Sequence, residues 1–215
     1  MMLAVVSGCY TLPFPIRAKA ANNGNGYQGE TEMNINVVGT SGSGKSTLAR
    51  RLAHRLGLRW IELDRLYWRP NWQGTPDEAF FAAIAAATAT PGWVLDGNYN
   101  RSRGVKWREV DLVVWLDYGL WRTLRQAVWR AANRAWRQQE LWPGTGNRES
   151  FRRSFCSRES IILWTLKTWR QNRRRYLADM QDPQYRHIRF VRLRSPRQAE
   201  VLLRELEAQR SGGHI

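Results

Sequence analysis

A glycine-rich octapeptide in the first quarter of the chain has the residue types and spacing of a phosphate-binding loop. Residues 39–46 read Gly-Thr-Ser-Gly-Ser-Gly-Lys-Ser and match the pattern G-x-x-x-x-G-K-[ST]. Glycines let the backbone turn its N–H groups toward a phosphate, and the N-terminus of a following helix adds positive charge. Lys45 is expected to reach the β- and γ-phosphates of ATP, and the Ser46 hydroxyl to bind Mg²⁺. The predicted nucleotide-binding residues are Gly39, Thr40, Ser41, Gly42, Ser43, Gly44, Lys45, Ser46 and Thr47.

Two aspartates stand at the ends of apolar segments that have the composition of strands. Asp64 follows Arg59–Leu63, and Asp96 follows Trp93–Leu95. Ligands bind at the carboxyl ends of strands in open parallel sheets. Both aspartates are therefore candidate ligand-binding residues, and Asp64 is expected to hold an acceptor hydroxyl. The structural alternative is an Asx turn for Asp96 and a turn cap for Asp64. Glu62 is a further candidate, but we favour the interpretation that it faces solvent.

The elements that must position these side chains alternate along the chain. The predicted strands are Asn34–Val38, Arg59–Leu63, Trp93–Leu95, Leu112–Leu116 and His187–Leu193. The predicted helices are Lys45–Leu56, Thr75–Thr88, Leu120–Arg137, Ser160–Met180 and Pro196–Glu207. Strands separated by helices of this length indicate a parallel sheet that is covered on both faces. We therefore predict a P-loop α/β fold with three α/β/α layers and five parallel strands.

Composition excludes several classes of protein. The 215 residues are 43% hydrophobic, which is too apolar for a disordered chain. No segment approaches the roughly 18 consecutive apolar residues of a membrane span. The two cysteines are far apart, which argues against a disulfide framework or a cysteine zinc site and favours the cytoplasm. Residues 1–32 lack a helical or strand period, so we predict a disordered extension, with Met33 as an alternative start, before one domain of residues 33–215.

Six segments in order resemble P-loop small-molecule kinases related to adenylate kinase, most closely the DNA-topology-modulation (FlaR-type) proteins. These segments lie at residues 39–47, 60–64, 70–72, 93–99, 116–117 and 146–149, and the resemblance spans roughly residues 33–207. It implies an ATP- and Mg²⁺-dependent phosphotransferase with an acceptor region after the second strand and a mobile lid at about 119–153. By the same resemblance, Asp96 would hold a Mg²⁺-bound water or orient the attacking oxygen. Glu62 and Asp64 together look like the acid-x-acid signature of shikimate-type and gluconate-type kinases. Adenylate kinases have Asp-Gly-Phe-Pro-Arg where this chain has Asp-Gly-Asn-Tyr-Asn-Arg ending at Arg101. Nucleoside monophosphates and hydroxylated metabolites therefore both remain acceptor classes.

The resemblance also assigns roles to arginines in and after the lid. The helix over Leu120–Arg137 carries five arginines on about half of its circumference, at 122, 125, 130, 134 and 137, opposite Leu120, Leu124, Val128 and Ala131. Lid arginines stabilise charge on a transferred phosphoryl group. We expect Arg130, Arg134 and Arg148 in this role, with solvated charge as the alternative. Arg194 lies between the last strand and helix, where related kinases line the adenine pocket.

The tryptophans and the overall charge leave a second function open. Trp68 and Trp72 are candidates for an acceptor pocket, whereas Trp115, Trp129 and Trp164 are predicted to be core residues. The net charge is +16, and residues 118–215 carry 21 basic against 8 acidic side chains. That excess, interleaved with tryptophan, suits a nucleic-acid backbone and its bases. The sequence therefore predicts an ATP-dependent kinase of a small acceptor, with a nucleic-acid-binding or DNA-topology-linked P-loop NTPase as the alternative; a membrane partner is not expected.

Overall fold

Five parallel strands form the centre of the protein. The computed structural model describes residues 33–137, 140–148 and 161–212. The strands are β1 (Asn34–Gly39), β2 (Arg59–Glu62), β3 (Trp93–Asp96), β4 (Leu112–Leu116) and β5 (Arg189–Leu193). They pair in parallel in the order β2-β3-β1-β4-β5. The predicted five-stranded parallel sheet is therefore confirmed.

Seven described helices connect or follow the strands. They are α1 (Lys45–Arg55), α2 (Leu63–Tyr67), α3 (Asp77–Ala87), α4 (Arg103–Lys106), α5 (Leu120–Arg137), α6 (Ile161–Asp179) and α7 (Pro196–Gly212). In the described part of the chain, no helix is long and apolar enough to cross a membrane. Two short helices, α2 and α4, were not expected from the sequence, because four or five residues are too few to show a helical period. Residues 1–32 and 149–153 of the predicted extension and lid lie outside the described residues.

The two faces of the sheet carry separate apolar cores. Successive β1 residues point to opposite faces, so Val37 packs in a cluster with residues of α1 and α7, and Val38 packs in a cluster with residues of α3, α4 and α6. All six β1 residues are buried. Burial on both faces explains the continuous apolar run of β4. The predicted α/β/α layering is the observed one.

A buried asparagine in β1 holds the end of β3 in place. Asn36 is fully buried, and its Nδ2 donates to the carbonyl oxygens of Leu95 at 2.9 Å and Gly97 at 3.3 Å. Its Oδ1 accepts from the indole N–H of Trp107 at 2.8 Å. Every polar atom of this side chain is thus satisfied, as burial requires. The loop that follows Asp96 is fixed relative to β1, the strand that leads into the glycine-rich loop.

Four predicted strand boundaries differ from the observed ones. β1 extends to Gly39 and β3 to Asp96, each one residue further than predicted. β2 ends at Glu62 rather than Leu63, so Asp64 lies in the first turn of α2 and does not end a strand. Leu63 is fully buried in a helix, where an apolar residue has the same composition signal as in a strand. β5 begins at Arg189 rather than His187, because the Ile188 N–H is bonded to the Tyr185 carbonyl in a turn.

Candidate functional site

The glycine-rich loop lies at the carboxyl end of β1, between the ends of β3 and β4. Two of its glycines are required by close approach. Gly39 has φ +150°, and a Cβ there would lie 2.7 Å from the Leu116 carbonyl oxygen. Gly42 has φ +82°, and a Cβ there would lie 2.6 Å from the Cβ of Ala127 in α5. The loop is therefore packed directly against both β4 and α5, with α1 beginning at Lys45.

Lys45 is held inside the curve of this loop. Its Nζ donates to the Thr40 carbonyl oxygen at 3.2 Å. Burial lowers the pKa of Lys45, whereas the nearby Asp96 carboxylate favours the charged form and Arg130 opposes it. An ammonium group inside a loop of backbone N–H groups is arranged to bind an anion.

Asp96 stands beside Lys45 and Ser46 at the end of β3. It is paired in register with Val37 of β1, and the Ser46 side chain favours its charged form. Burial raises the pKa of Asp96, and the charge of Lys45 opposes that shift. A carboxylate and a hydroxyl together are hard oxygen donors of the kind that Mg²⁺ prefers.

Ser46 and Asp96 fit a magnesium ion that takes only some of its oxygen ligands from the protein. Among the described residues, no group of three or more His, Cys, Asp and Glu side chains is able to hold a metal ion by itself. Magnesium in nucleotide sites usually binds one or two protein oxygens and completes its shell with water and phosphate. Ser46 and Asp96 would supply the protein oxygens here.

Two more acids extend the site beyond Asp96. Glu62 pairs in register with Asp96 across β2 and β3. Glu62 is half-buried, and its pKa is raised by burial and by the charges of Asp64 and Asp96. The Asp64 carboxylate accepts a hydrogen bond from the Tyr99 hydroxyl at 2.6 Å. Asp64 therefore lies at this edge as predicted, although α2 rather than β2 carries it.

The solvent-facing interpretation of Glu62 is wrong. Burial and the charges of Asp64 and Asp96 raise its pKa, and the side chain of Trp142 lowers it. Parallel pairing of β2 with β3 aligns Glu62 with Asp96, and that register is not readable from either segment alone. The acid-x-acid spacing of Glu62 and Asp64 was the available signal.

A cavity of about 610 Å³ opens between the glycine-rich loop and α5. Residues from both elements line it: Gly42, Gly44, Ser46, Thr47, Arg50, Arg125, Gln126, Trp129, Arg130 and Arg134. Arg130 also donates from Nη2 to the Ser41 hydroxyl at 2.9 Å. The structure thus brings two of the three predicted lid arginines, Arg130 and Arg134, to the loop.

The packed side of α5 differs from the predicted one. Its buried residues are Thr123, Ala127, Ala131 and Ala135, and the predicted Leu120, Leu124 and Val128 are only partly buried. Small side chains are needed because α5 approaches Gly42 so closely. Trp129 is 70% exposed, so its prediction as a core residue is wrong, whereas Trp115 is 2% exposed and lies in the core. The side chain of Trp164 lies outside the described residues.

Arg148 and Arg194 lie apart from this cavity. Arg148 is exposed in the loop 140–148, where it forms an isolated β-bridge with Glu140. Arg194 is exposed after β5, and its backbone N–H donates to Oε1 of Gln198 at 2.6 Å. Neither residue lines the space next to the glycine-rich loop. Their predicted contacts with phosphate and adenine stay predictions.

Three tryptophans form a cluster next to Glu62. Trp68 and Trp142 are stacked with their ring centroids 6.1 Å apart, and Trp72 is edge-on to both at 5.6 and 5.9 Å. Asn147 also joins the loop 140–148 to the loop after α2, because its Oδ1 accepts from the backbone N–H of Trp72 at 2.9 Å. Its Nδ2 donates to the Arg69 carbonyl oxygen, also at 2.9 Å. The cluster therefore joins the predicted acceptor region to the predicted lid.

Three solved structures are similar to this chain at low identity. A gluconokinase from Sinorhizobium meliloti 1021 is 19% identical over 84% of this chain and 92% of its own, with a TM-score of 0.44. A shikimate kinase from Bacteroides thetaiotaomicron is 12% identical over 82% and 97%, with a TM-score of 0.47. A shikimate kinase from Acinetobacter baumannii in complex with shikimate is 18% identical over 83% and 95%, with a TM-score of 0.46. The sequence matches no family model and no curated protein.

Proposed function

We propose that this protein is an ATP- and Mg²⁺-dependent phosphotransferase that acts on a small hydroxylated acceptor. The observation that carries the proposal is the position of the Asp96 carboxylate at the end of β3, where the Lys45 ammonium and the Ser46 side chain both favour its charged form. These three groups come from the glycine-rich loop and from the neighbouring strand β3. A cation-binding oxygen pair beside a buried ammonium group matches the two demands of a metal-bound triphosphate.

The nucleotide side would bind phosphate and neutralise its charge. Backbone N–H groups of residues 39–47 would surround the β-phosphate, and Lys45 would contact the β- and γ-oxygens. Ser46 and Asp96 would hold Mg²⁺, which supplies positive charge to the phosphate oxygens when it is bound. Arg130 and Arg134 would stabilise the transferred group from α5, because both lie at the loop already.

The acceptor side would be formed by Glu62, Asp64 and the tryptophan cluster. An acceptor hydroxyl bound by a carboxylate would attack the γ-phosphorus while the bond from that phosphorus to the bridging oxygen of ADP breaks. The hydroxyl proton would pass to the carboxylate of Asp64. Asn147 would hold the loop 140–148 over this side, which excludes water from the transferred group. The proposed enzyme is one domain of residues 33–215 with a lid at about 119–153.

Release of ADP in the presence of pooled acceptors tests this proposal. Lys45→Ala is expected to reduce acceptor-stimulated release of ADP at least about 100-fold, since a charged group that contacts the reacting phosphates is lost. Lys167→Ala is the matched control, because Lys167 is exposed on α6 and far from the loop in sequence. Thermal unfolding should show that both variants are folded. Equal ADP release by wild type and Lys45→Ala would contradict the proposal.

One observation favours the second candidate, nucleic-acid binding. Three tryptophans on α5 are strongly exposed, namely Trp121 at 81%, Trp129 at 70% and Trp136 at 81%. The same helix exposes Arg122 and Arg125. Indole rings beside guanidinium groups are suited to stacking on bases and to contacting phosphates of a single strand. Binding of a labelled single-stranded oligonucleotide that weakens steeply with salt and is lost in Trp121→Ala/Trp136→Ala would support it; salt-independent or absent binding would remove it.

A further inference from the structure

The acceptor side of the site is rich in negative charge. Burial raises the pKa of Glu62, and the charges of Asp64 and Asp96 add to that shift. Asp96 interacts with Lys45 and Ser46 on the nucleotide side. Two carboxylates therefore remain for the acceptor, and neither belongs to the proposed metal site.

Two arginines near these carboxylates also have contacts with other residues. Arg50 acts on Glu62, but it stacks on Trp60 at 4.6 Å and lines the cavity at the glycine-rich loop. Arg101 follows the third-strand loop, yet its Nε is 2.9 Å from Oδ1 of Asp77. The same guanidinium lies 4.9 Å from the centroid of the Tyr67 ring. Arg101 is therefore held by an acid and an aromatic ring, and an acceptor phosphate or carboxylate would have to displace both.

The tryptophan cluster of Trp68, Trp72 and Trp142 stands against the same carboxylates. Trp142 is 7% exposed and its side chain favours the charged form of Glu62, so the cluster and the carboxylate are neighbours. Tryptophan has the strongest attraction for cations among the aromatic side chains. Indole faces together with two carboxylates favour an ammonium group and disfavour an anion, which would meet like charge at Glu62 and Asp64.

We infer that the acceptor is a hydroxylated amine, whose ammonium group binds between Glu62 and the tryptophan cluster while its hydroxyl is phosphorylated. This inference rests on the proposed phosphotransferase and names its substrate class. The hydroxyl oxygen forms the new bond to the γ-phosphorus, the bond to the ADP oxygen breaks, and the hydroxyl proton leaves on Asp64. The ammonium group takes no part in the bond changes and serves only to bind and orient the acceptor.

Acceptors matched in skeleton but not in charge test the inference. Wild-type protein with Mg-ATP is assayed for ADP release against a pool of amino sugars and amino alcohols, a pool of their neutral hydroxyl analogues, and a pool of sugar acids with nucleoside monophosphates. We expect the amine pool to stimulate release, with kcat/KM at least about tenfold above that of the neutral analogue, a ratio equal to about 1.4 kcal/mol. Stronger stimulation by the neutral or the anionic pool would overturn the inference and leave the phosphotransferase in place.

A single variant separates recognition of the charge from a structural role. Glu62→Gln should lower kcat/KM for the amine, through KM, about tenfold more than it lowers the value for the neutral analogue. Glu78→Gln, exposed on α3, is the matched control and should change neither value. An equal loss for both acceptors in Glu62→Gln would overturn the inference. No stimulation by any pool would remove the phosphotransferase proposal, and the acceptor class with it.

Discussion

The side-chain amide of Asn98 satisfies both backbone groups of Gly39. Its Oδ1 accepts from the Gly39 N–H at 3.0 Å, and its Nδ2 donates to the Gly39 carbonyl oxygen at 2.8 Å. The same Oδ1 accepts from the Tyr176 hydroxyl at 3.1 Å, and the buried Lys106 ammonium donates to the Asn98 carbonyl oxygen. The loop after β3 thus holds the first residue of the glycine-rich loop, so both halves of the proposed site move together.

Asn98→Ala should therefore weaken both the fold and nucleotide binding. Three side-chain hydrogen bonds are lost, which predicts a decrease of about 3 kcal/mol in the free energy of unfolding. Asn98→Asp keeps an acceptor for the Gly39 N–H but places a carboxylate oxygen against the Gly39 carbonyl oxygen, so it should not recover the lost stability. Urea unfolding measures the first effect and calorimetric titration with Mg-ATP the second. Wild-type values for both in Asn98→Ala would show that the two bonds to Gly39 do not hold the loop.

Alanine at two glycines of the loop should have different consequences. At Gly42 the new Cβ meets Ala127 and the Thr123 carbonyl oxygen at 2.6 and 2.8 Å, so α5 has to move away. At Gly44, with φ +93°, the space around the Cβ is open and only backbone strain is added. We expect Gly42→Ala to lower the free energy of unfolding by about 2–3 kcal/mol and Gly44→Ala by about 1 kcal/mol. Equal losses in thermal or urea unfolding would contradict the close packing of α5.

Arginine substitutions should separate the described cavity from the loop 140–148. Arg130 contacts Ser41 of the glycine-rich loop, whereas Arg148 is exposed and lies outside the cavity lining. Arg130→Ala is expected to lower kcat about 100-fold or more, because a charge next to the transferred group is lost. Arg148→Ala, as it is placed here, should lower kcat less than tenfold. A larger loss in Arg148→Ala than in Arg130→Ala would indicate that catalysis needs a different arrangement of the lid.

The free energy of unfolding of the nucleotide-free protein should decrease as the pH rises above the ordinary pKa of a carboxyl group. Burial raises the pKa of Glu62, so the folded chain retains a proton that the unfolded chain has lost. The free energy of unfolding therefore falls between the ordinary pKa, about 4.3, and the raised value, and the full penalty persists above it. Glu62→Gln removes this penalty, so it should raise the free energy of unfolding at pH 7.5 and change it little at pH 3.5.

Urea unfolding at the two pH values checks this prediction. Glu78→Gln serves as the control, because Glu78 is exposed in the first turn of α3. The effect of Glu78→Gln on the free energy of unfolding should be small and should not depend on the charges around Glu62. A loss of stability in Glu62→Gln at pH 7.5 would show that the carboxylate is stabilised rather than strained by its neighbours.

Features that depend on neighbouring residues in sequence were readable from the sequence. The residue types of residues 39–46 predict a phosphate-binding loop, because glycine freedom and the helix start are local properties. Apolar runs and helical spacing predicted all five strands and the five longer helices, since strand and helix periods differ. Local composition also placed Asp96 at a strand end, where it was observed.

Strand pairing and the close approach of elements were decided only by the tertiary structure. The register of β2 against β3 places Glu62 beside Asp96, although 34 positions separate them in the sequence. The closeness of α5 to Gly42 selects small residues for its packed side and leaves Trp129 exposed, which the apolar character of tryptophan alone did not predict. The side-chain contacts of Asn98, Asn147 and Trp142 described above join residues that lie 59 to 80 positions apart in the sequence. Such contacts leave no periodic trace in the sequence, because they form only when the sheet and its helices are assembled.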